Sequence, residues 1–177
     1  MPIHGVAVTV PDPWSHLLQQ ARSEFGDPLA VAIPPHVTLL PPTETAPDLV
    51  DAFVAHLEAV SADVAPFDMV LSSTGTFRPV SPVVFIQVAK GISSCERLER
   101  RVRSGPVART LEFPYHPHVT VAHHLDDEAL DRAFEGLADF RADFRVQSIE
   151  LYAHDTDGIW RVVRSFALGG SARPAVG

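Results

Sequence analysis

The chain has 177 residues, 46% of them hydrophobic, with 22 acidic against 14 basic side chains and a formal charge of −8. Such a length holds one domain or two small lobes sharing a core, and the acidic balance excludes a protein that coats long nucleic acids through a broad basic face. A single cysteine, Cys95, rules out an intramolecular disulfide and fits a reducing compartment.

The opening "MPIHGVAVTVPDPW" lacks the basic segment and small-residue cleavage pattern of a signal peptide, and no apolar run is long enough to span a bilayer. The expected setting is the cytoplasm, with no membrane partner. Ile3–Val10 alternates and branches at Cβ as a strand does. Asp12 as N-cap and Pro13 at the first helical position then open a helix carried by Trp14, Leu17, Leu18, Ala21 and Phe25 and stopped by Gly26. "HVTLL" reads as a strand and "PPTETAPD" as a polar connector. Leu49, Phe53, Leu57, Val60 and Val64 mark a second helix, and "FDMVLSSTGTF" a strand.

From Val83 the plan restarts. "VVFIQVA" is a strand and "SSCERLERRVRSG" a helix in which Cys95 falls in line with Ile92, Leu98 and Val102 as a small buried hydrophobe. "HVTVA" is the next strand, and "DDEALDRAFEGLADF" a helix capped by Asp126. "DFRVQSIELYAHD" and "IWRVVRSFAL" form a hairpin around "DTDG". The tail, residues 169–177, reads as flexible. Strand, helix, HVT strand, helix, strand therefore occurs twice, over residues 3–77 and 83–154, with the two HVT histidines 118 − 36 = 82 residues apart. The expected fold is α+β: a single bilobal unit over residues 1–168, its halves related by a pseudo-twofold.

On a strand, side chains two apart share a face. His36 projects with Thr38, and His118 with Thr120, while Val37 and Val119 point into a core. Brought together, the halves offer two imidazoles and two hydroxyls around one space. Imidazoles titrate near neutrality, so one takes a proton from an attacking oxygen while the other gives one to a leaving oxygen. The hydroxyls suit the non-bridging oxygens of a phosphate, where charge builds in the transition state. There is no G-x4-G-K-[ST] loop or glycine-rich fingerprint, and Lys90 lacks the surroundings of a nucleotidyl-accepting lysine, so no ATP-coupled ligation and no cofactor are expected.

The motifs "HVTL" at His36 and "HVTV" at His118 resemble the signature of the two-histidine (2H) phosphoesterases, the family of 2′,3′-cyclic phosphodiesterases and bacterial 2′-5′ RNA ligase-like proteins. The resemblance extends over nearly the whole chain, since element order and motif separation also fit. It implies a central cleft between two antiparallel sheets with helices outside. It implies His36 and His118 as catalytic residues, Thr38 and Thr120 as phosphate ligands, and a nucleotide or RNA 2′,3′-cyclic phosphate as substrate, opened to a 2′-phosphate without metal. Phe113 in "EFPYHPHVTV" is similar to the aromatic lead-in of the RNA-ligase-like branch. That branch often follows the second motif with Ala-Arg, where this chain has Ala122 and His123, so a fixed charge gives way to a titrating one.

Around this set, Phe77, Phe113, Tyr115, Tyr152 and Trp160 are candidate stacking surfaces for a base, each with the core as its plainer destination. His124 shares the parity of His118 and so belongs on the cleft face unless a bulge brings His123 there instead. Arg78, Arg109 and Arg161 are candidate phosphate contacts, with solvated surface charge as the default. Two other functions fit the same residues: a nucleotide or RNA-end binder without turnover, and a metal-dependent hydrolase built on "H-x-H-x4-HH" at His116–His124.

Overall fold

Ile3–Thr9 (β1) is buried along almost its whole length, as a strand paired on both sides must be. The computed structural model, which describes residues 1–169, places it second in a four-stranded antiparallel sheet. Its neighbours are His36–Glu44 (β2), at the edge, and Ser148–His154 (β7), which pairs onward with Trp160–Ala167 (β8). A second antiparallel sheet runs in the order His118–His123 (β5), Val83–Lys90 (β4), Phe67–Thr76 (β3), Arg141–Val146 (β6). The two orders correspond position by position. Each HVT strand is an edge, and each lies beside the first strand of its half.

This is the expected α+β architecture, with a weave the repeat alone does not reveal. β3, made by the first half, pairs with β4, and β7, made by the second, returns to β1. The helices cross over as well. Trp14–Glu24 (α1) packs on β5, and Ile92–Arg103 (α3) packs on β2, so each motif strand is covered by a helix of the other half. Val50–Ala62 (α2) lies against α3 and β8, and Asp127–Gly136 (α4) covers β3, β4 and β5. Val37 and Val119 are fully buried in one continuous apolar core with Leu39, Leu57, Ile86, Leu98 and Leu151. Each such side chain contributes about 1.5–3 kcal/mol.

Four expectations are corrected. β2 does not end at Leu40 but runs to Glu44 through Pro41 and Pro42, which an edge strand tolerates because its outward N–H groups have no partner to lose. "DFRVQSIELYAHD" is not one strand: it breaks at Gln147, β6 going to one sheet and β7 to the other. α1 starts at Trp14, with Pro13 just outside it, while the Asp12 carboxylate still accepts from His16 N–H at 3.2 Å. α4 keeps its Asp126 cap, which accepts from Ala129 N–H at 2.8 Å, but stops at Gly136. Gly169, the first residue of the expected tail, donates its N–H to Val64 O at 2.7 Å, and residues 170–177 lie outside the described residues. Among the described residues no helix is long and apolar enough to cross a membrane.

Candidate active site

Both motif histidines are preceded by proline, in "PPHVT" and "HPHVT". Proline holds the residue before it extended, and the carbonyl two residues upstream of each histidine faces its ring. Nδ1 of His36 lies 2.7 Å from Pro34 O, and Nδ1 of His118 lies 2.7 Å from His116 O. A carbonyl only accepts, so each Nδ1 carries the proton and donates, and each neutral ring keeps its lone pair on Nε2. The operative motif is thus P-H-V-T, and the repeated proline was its visible signal.

Beyond that common anchor the two rings differ. His36 lies against the Trp160 indole with centroids 4.8 Å apart, and its Nε2 accepts from Thr38 Oγ1 at 3.1 Å. Desolvation pushes its pKa down to about 4, with the Arg22 and His118 charges adding to the shift. His118 meets the rings of Phe77 and Phe85, with centroids at 4.9 and 5.2 Å. Burial lowers its pKa too, and the bond to His116 O works against that. Gly75 makes room for the Phe85 ring: a Cβ there would stand 2.6 Å from Phe85 Cε2.

Thr38 and His118, from opposite sheets, line one cavity of about 670 Å³. Its remaining wall is largely apolar, built from Leu39, Phe77, Leu111, Phe113 and Tyr115. Its charged member, Glu99, is buried and accepts from Arg103 Nε at 2.6 Å. Tyr115 spans the cleft: its hydroxyl donates to Thr38 O at 2.8 Å, tying the approach to the second motif onto the first. A shallower groove of about 710 Å³, which includes Arg103 and Arg109, lies along the 108–114 segment.

Of the residues singled out from sequence, His36, Thr38, His118 and Thr120 lie on the two facing edge strands, each partly exposed. Phe113, 62% exposed, stands at the cavity rim, and Tyr115 lines the cavity with its hydroxyl engaged. Tyr152 is corrected: at 1% exposure it offers no stacking face. Its hydroxyl donates to Thr9 Oγ1, which in turn donates to Glu150 Oε2 at 3.1 Å. His124 is corrected as well. Val121 is an extra residue opposite the Val84–Phe85 step, so His123 shares the face of His118, while His124 turns out at φ 53° and stacks on His123 at 3.7 Å.

Arg78 is held by Asp131 at 2.9 Å and Arg161 by Asp155 at 2.7 Å, while Arg109 donates to Pro42 O at 3.0 Å. His116 and His118 sit at one end of β5 and His123 and His124 at the other; among the described residues no three His, Cys, Asp or Glu side chains converge to hold a metal ion. Trp160, left between core and substrate by its sequence alone, is the lid of His36. The β7–β8 pairing sets it beside His154, and its backbone N–H donates to Ala32 O at 2.9 Å, just ahead of β2.

Solved structures share this architecture. TT0787 of Thermus thermophilus superposes with a TM-score of 0.66 at 20% identity, covering 96% of this chain and 99% of that one. Escherichia coli LigT complexed with NADP+ gives 0.67 at 21% identity with the same coverage, and LigT complexed with 3′-AMP gives 0.66 at 16%, covering 95% and 99%. In sequence, a Bacillus licheniformis protein named as a candidate phosphoesterase is 29% identical over 145 residues, 81% of this chain and 85% of its own. The model of the 2′-5′ RNA ligase superfamily matches residues 10–158. Together with the duplicated P-H-V-T edge strands, that match shows that the chain belongs to the 2′-5′ RNA ligase superfamily of two-histidine phosphoesterases.

Proposed function

We propose that the protein is a metal-independent phosphodiesterase that opens 2′,3′-cyclic phosphates of nucleotides or RNA ends to 2′-phosphates. The observation that carries this reading is the matched anchoring of the two rings, which leaves an Nε2 lone pair on each of two facing edge strands. His36, held neutral, takes a proton from water as the water oxygen bonds to phosphorus. The P–O3′ bond breaks, and a protonated His118 gives its proton to the departing 3′-oxygen. One proton is gained and one lost, and exchange with solvent resets the pair. Thr38 and Thr120 donate to the non-bridging oxygens, Thr38 first turning its hydroxyl away from His36 Nε2. The cavity beside His118, with Phe113 at its rim, receives the base. The LigT structures with 3′-AMP and NADP+ support a nucleotide-sized ligand on this fold. Ligation is the same ring opening with the 5′-hydroxyl of a second strand in place of water: its oxygen bonds to phosphorus to form a 2′-5′ phosphodiester as the 3′-oxygen leaves and takes a proton from His118.

The test is hydrolysis of the four nucleoside 2′,3′-cyclic phosphates in EDTA, wild type beside His36→Ala and His118→Ala. Each substitution is expected to cost about 10²–10⁴-fold in rate. Turnover abolished by EDTA, or unchanged in either variant, would overturn the paired-histidine mechanism. Tight binding of the same nucleotides without turnover would identify a binder.

A further inference from the structure

An arginine is rarely buried unless its charge is met. Arg22, on α1, is only 6% exposed. Leu18, one turn earlier on the same helix face, lies in the core, so the Arg22 stem runs inward. Its Nε donates to Asp27 Oδ2 at 2.7 Å, and Asp27 Oδ1 is itself occupied by Leu29 N–H at 2.9 Å. Among the described residues the guanidinium makes no other hydrogen bond. The sealed side-chain polar atoms without partners are His4 Nδ1 and Trp160 Nε1, so the two Nη groups of Arg22 reach solvent at the tip of a buried side chain. Four N–H donors are thereby left open.

The place they occupy is set by α1, which packs on β5, the strand that ends in His123. The Arg22 charge acts on both His36 and His123, lowering each, and Asp27 acts on His123 in the opposite sense. His36 opens β2 and His123 closes β5, so the Arg22 charge is felt at one end of each motif strand. A free pair of Nη groups matches two oxygens of a phosphate, which a lysine at the same point would not.

We propose that Arg22 is the fixed cation of the active site, its free Nη groups binding the non-bridging oxygens of the phosphodiester held between His36 and His118, with Asp27 locking the guanidinium through Nε. The assignment rests on the phosphodiester reading above. It moves the permanent charge of the site onto α1, away from the position after the second motif, where His123 stands.

Titration calorimetry with inorganic sulfate, a tetrahedral dianion, tests this without needing turnover. Arg22→Met/Asp27→Asn removes both buried charges together, so neither is orphaned. It is expected to weaken sulfate binding roughly ten- to a hundredfold, as the loss of a charge-assisted contact does. Adding His123→Arg to that variant is expected to restore affinity, which repairing a merely structural pair would not do. Wild-type crystals soaked in sulfate give a reading independent of the variant's folding, with a sulfate oxygen expected on Arg22 Nη. Wild-type affinity in the double variant, a sulfate held by the threonines alone, or no sulfate binding at all would overturn the proposal. Arg22-dependent sulfate binding in a protein that opens no cyclic phosphate would keep the cation and remove the catalytic reading. Turnover with Arg22-independent binding would do the reverse.

Discussion

An imidazole is an effective proton carrier only near its own pKa, and burial has moved both rings off 6.5. His36 must be neutral to act as base, a condition met above about pH 4. His118 must be protonated to act as acid, which holds below its lowered pKa, itself under the ordinary 6.5. The kcat/KM profile of the free enzyme is therefore expected to be a bell with its maximum on the acid side of neutrality, between about 4 and 6.5. The kcat profile should lie at higher pH, because a bound phosphodiester anion stabilises both imidazolium forms. A kcat/KM optimum above pH 7 would show that the roles or the rings are misassigned. At this scale the sequence was partly legible. That His36 shares a strand face with Thr38, and His118 with Thr120, was readable because parity along a strand needs no partner. Tyr152 and His124 were not. The sealing of Tyr152 depends on Thr9, at the far end of the chain, and the facing of His124 on a bulge at Val121.

Edge position leaves one side of a strand unpaired, and β2 and β5 are both edges. An edge strand has backbone groups to spare, and Thr38 O is one that is used, by Tyr115. Tyr115→Phe is expected to lower stability by about 1–2 kcal/mol, because the carbonyl loses its donor inside a partly buried contact. It is also expected to lower kcat with little change in KM, since the strut sets the spacing of the motifs without meeting the reacting atoms. Urea unfolding beside steady-state kinetics would decide, and wild-type values in both would show the strut to be idle. Element identity was legible wherever apolar period and punctuation agreed, as in α2, α3 and β4. The extension of β2 through Pro41 and Pro42 was not, since prolines read as a stop unless the strand is known to be an edge. Nor was the break at Gln147: the apolar alternation hardly falters there, and the choice of sheet is made by pairing partners far along the chain.

The whole molecule carries −8, yet its site is proposed to hold an anion, so the local fields of Arg22 and the histidines have to prevail over the net charge. The same buried imidazole links catalysis to acid stability. The unfolded chain binds a proton at His36 near pH 6.5 and the folded one only near 4, so its contribution is complete above 6.5 and is lost as pH falls from 6.5 to 4. The loss is about 2–3 kcal/mol, the lower figure allowing for residual exposure of the ring. Denaturant midpoints across that range should fall more steeply in the wild type than in His36→Gln, and equal slopes would show the ring to be solvated. The interchange of β3 and β7 between the sheets also bears on how the protein is made. β1 leaves the ribosome first among the strands, yet its second partner, β7, is among the last. Before residues 148–167 are translated, the nascent chain has all four strands of one sheet and only a bare pair of the other, and His36 waits uncovered for Trp160. Synthesis itself therefore sets the moment at which the site can be completed, and a chain that stalls before β8 holds both motifs but lacks the ring that covers His36.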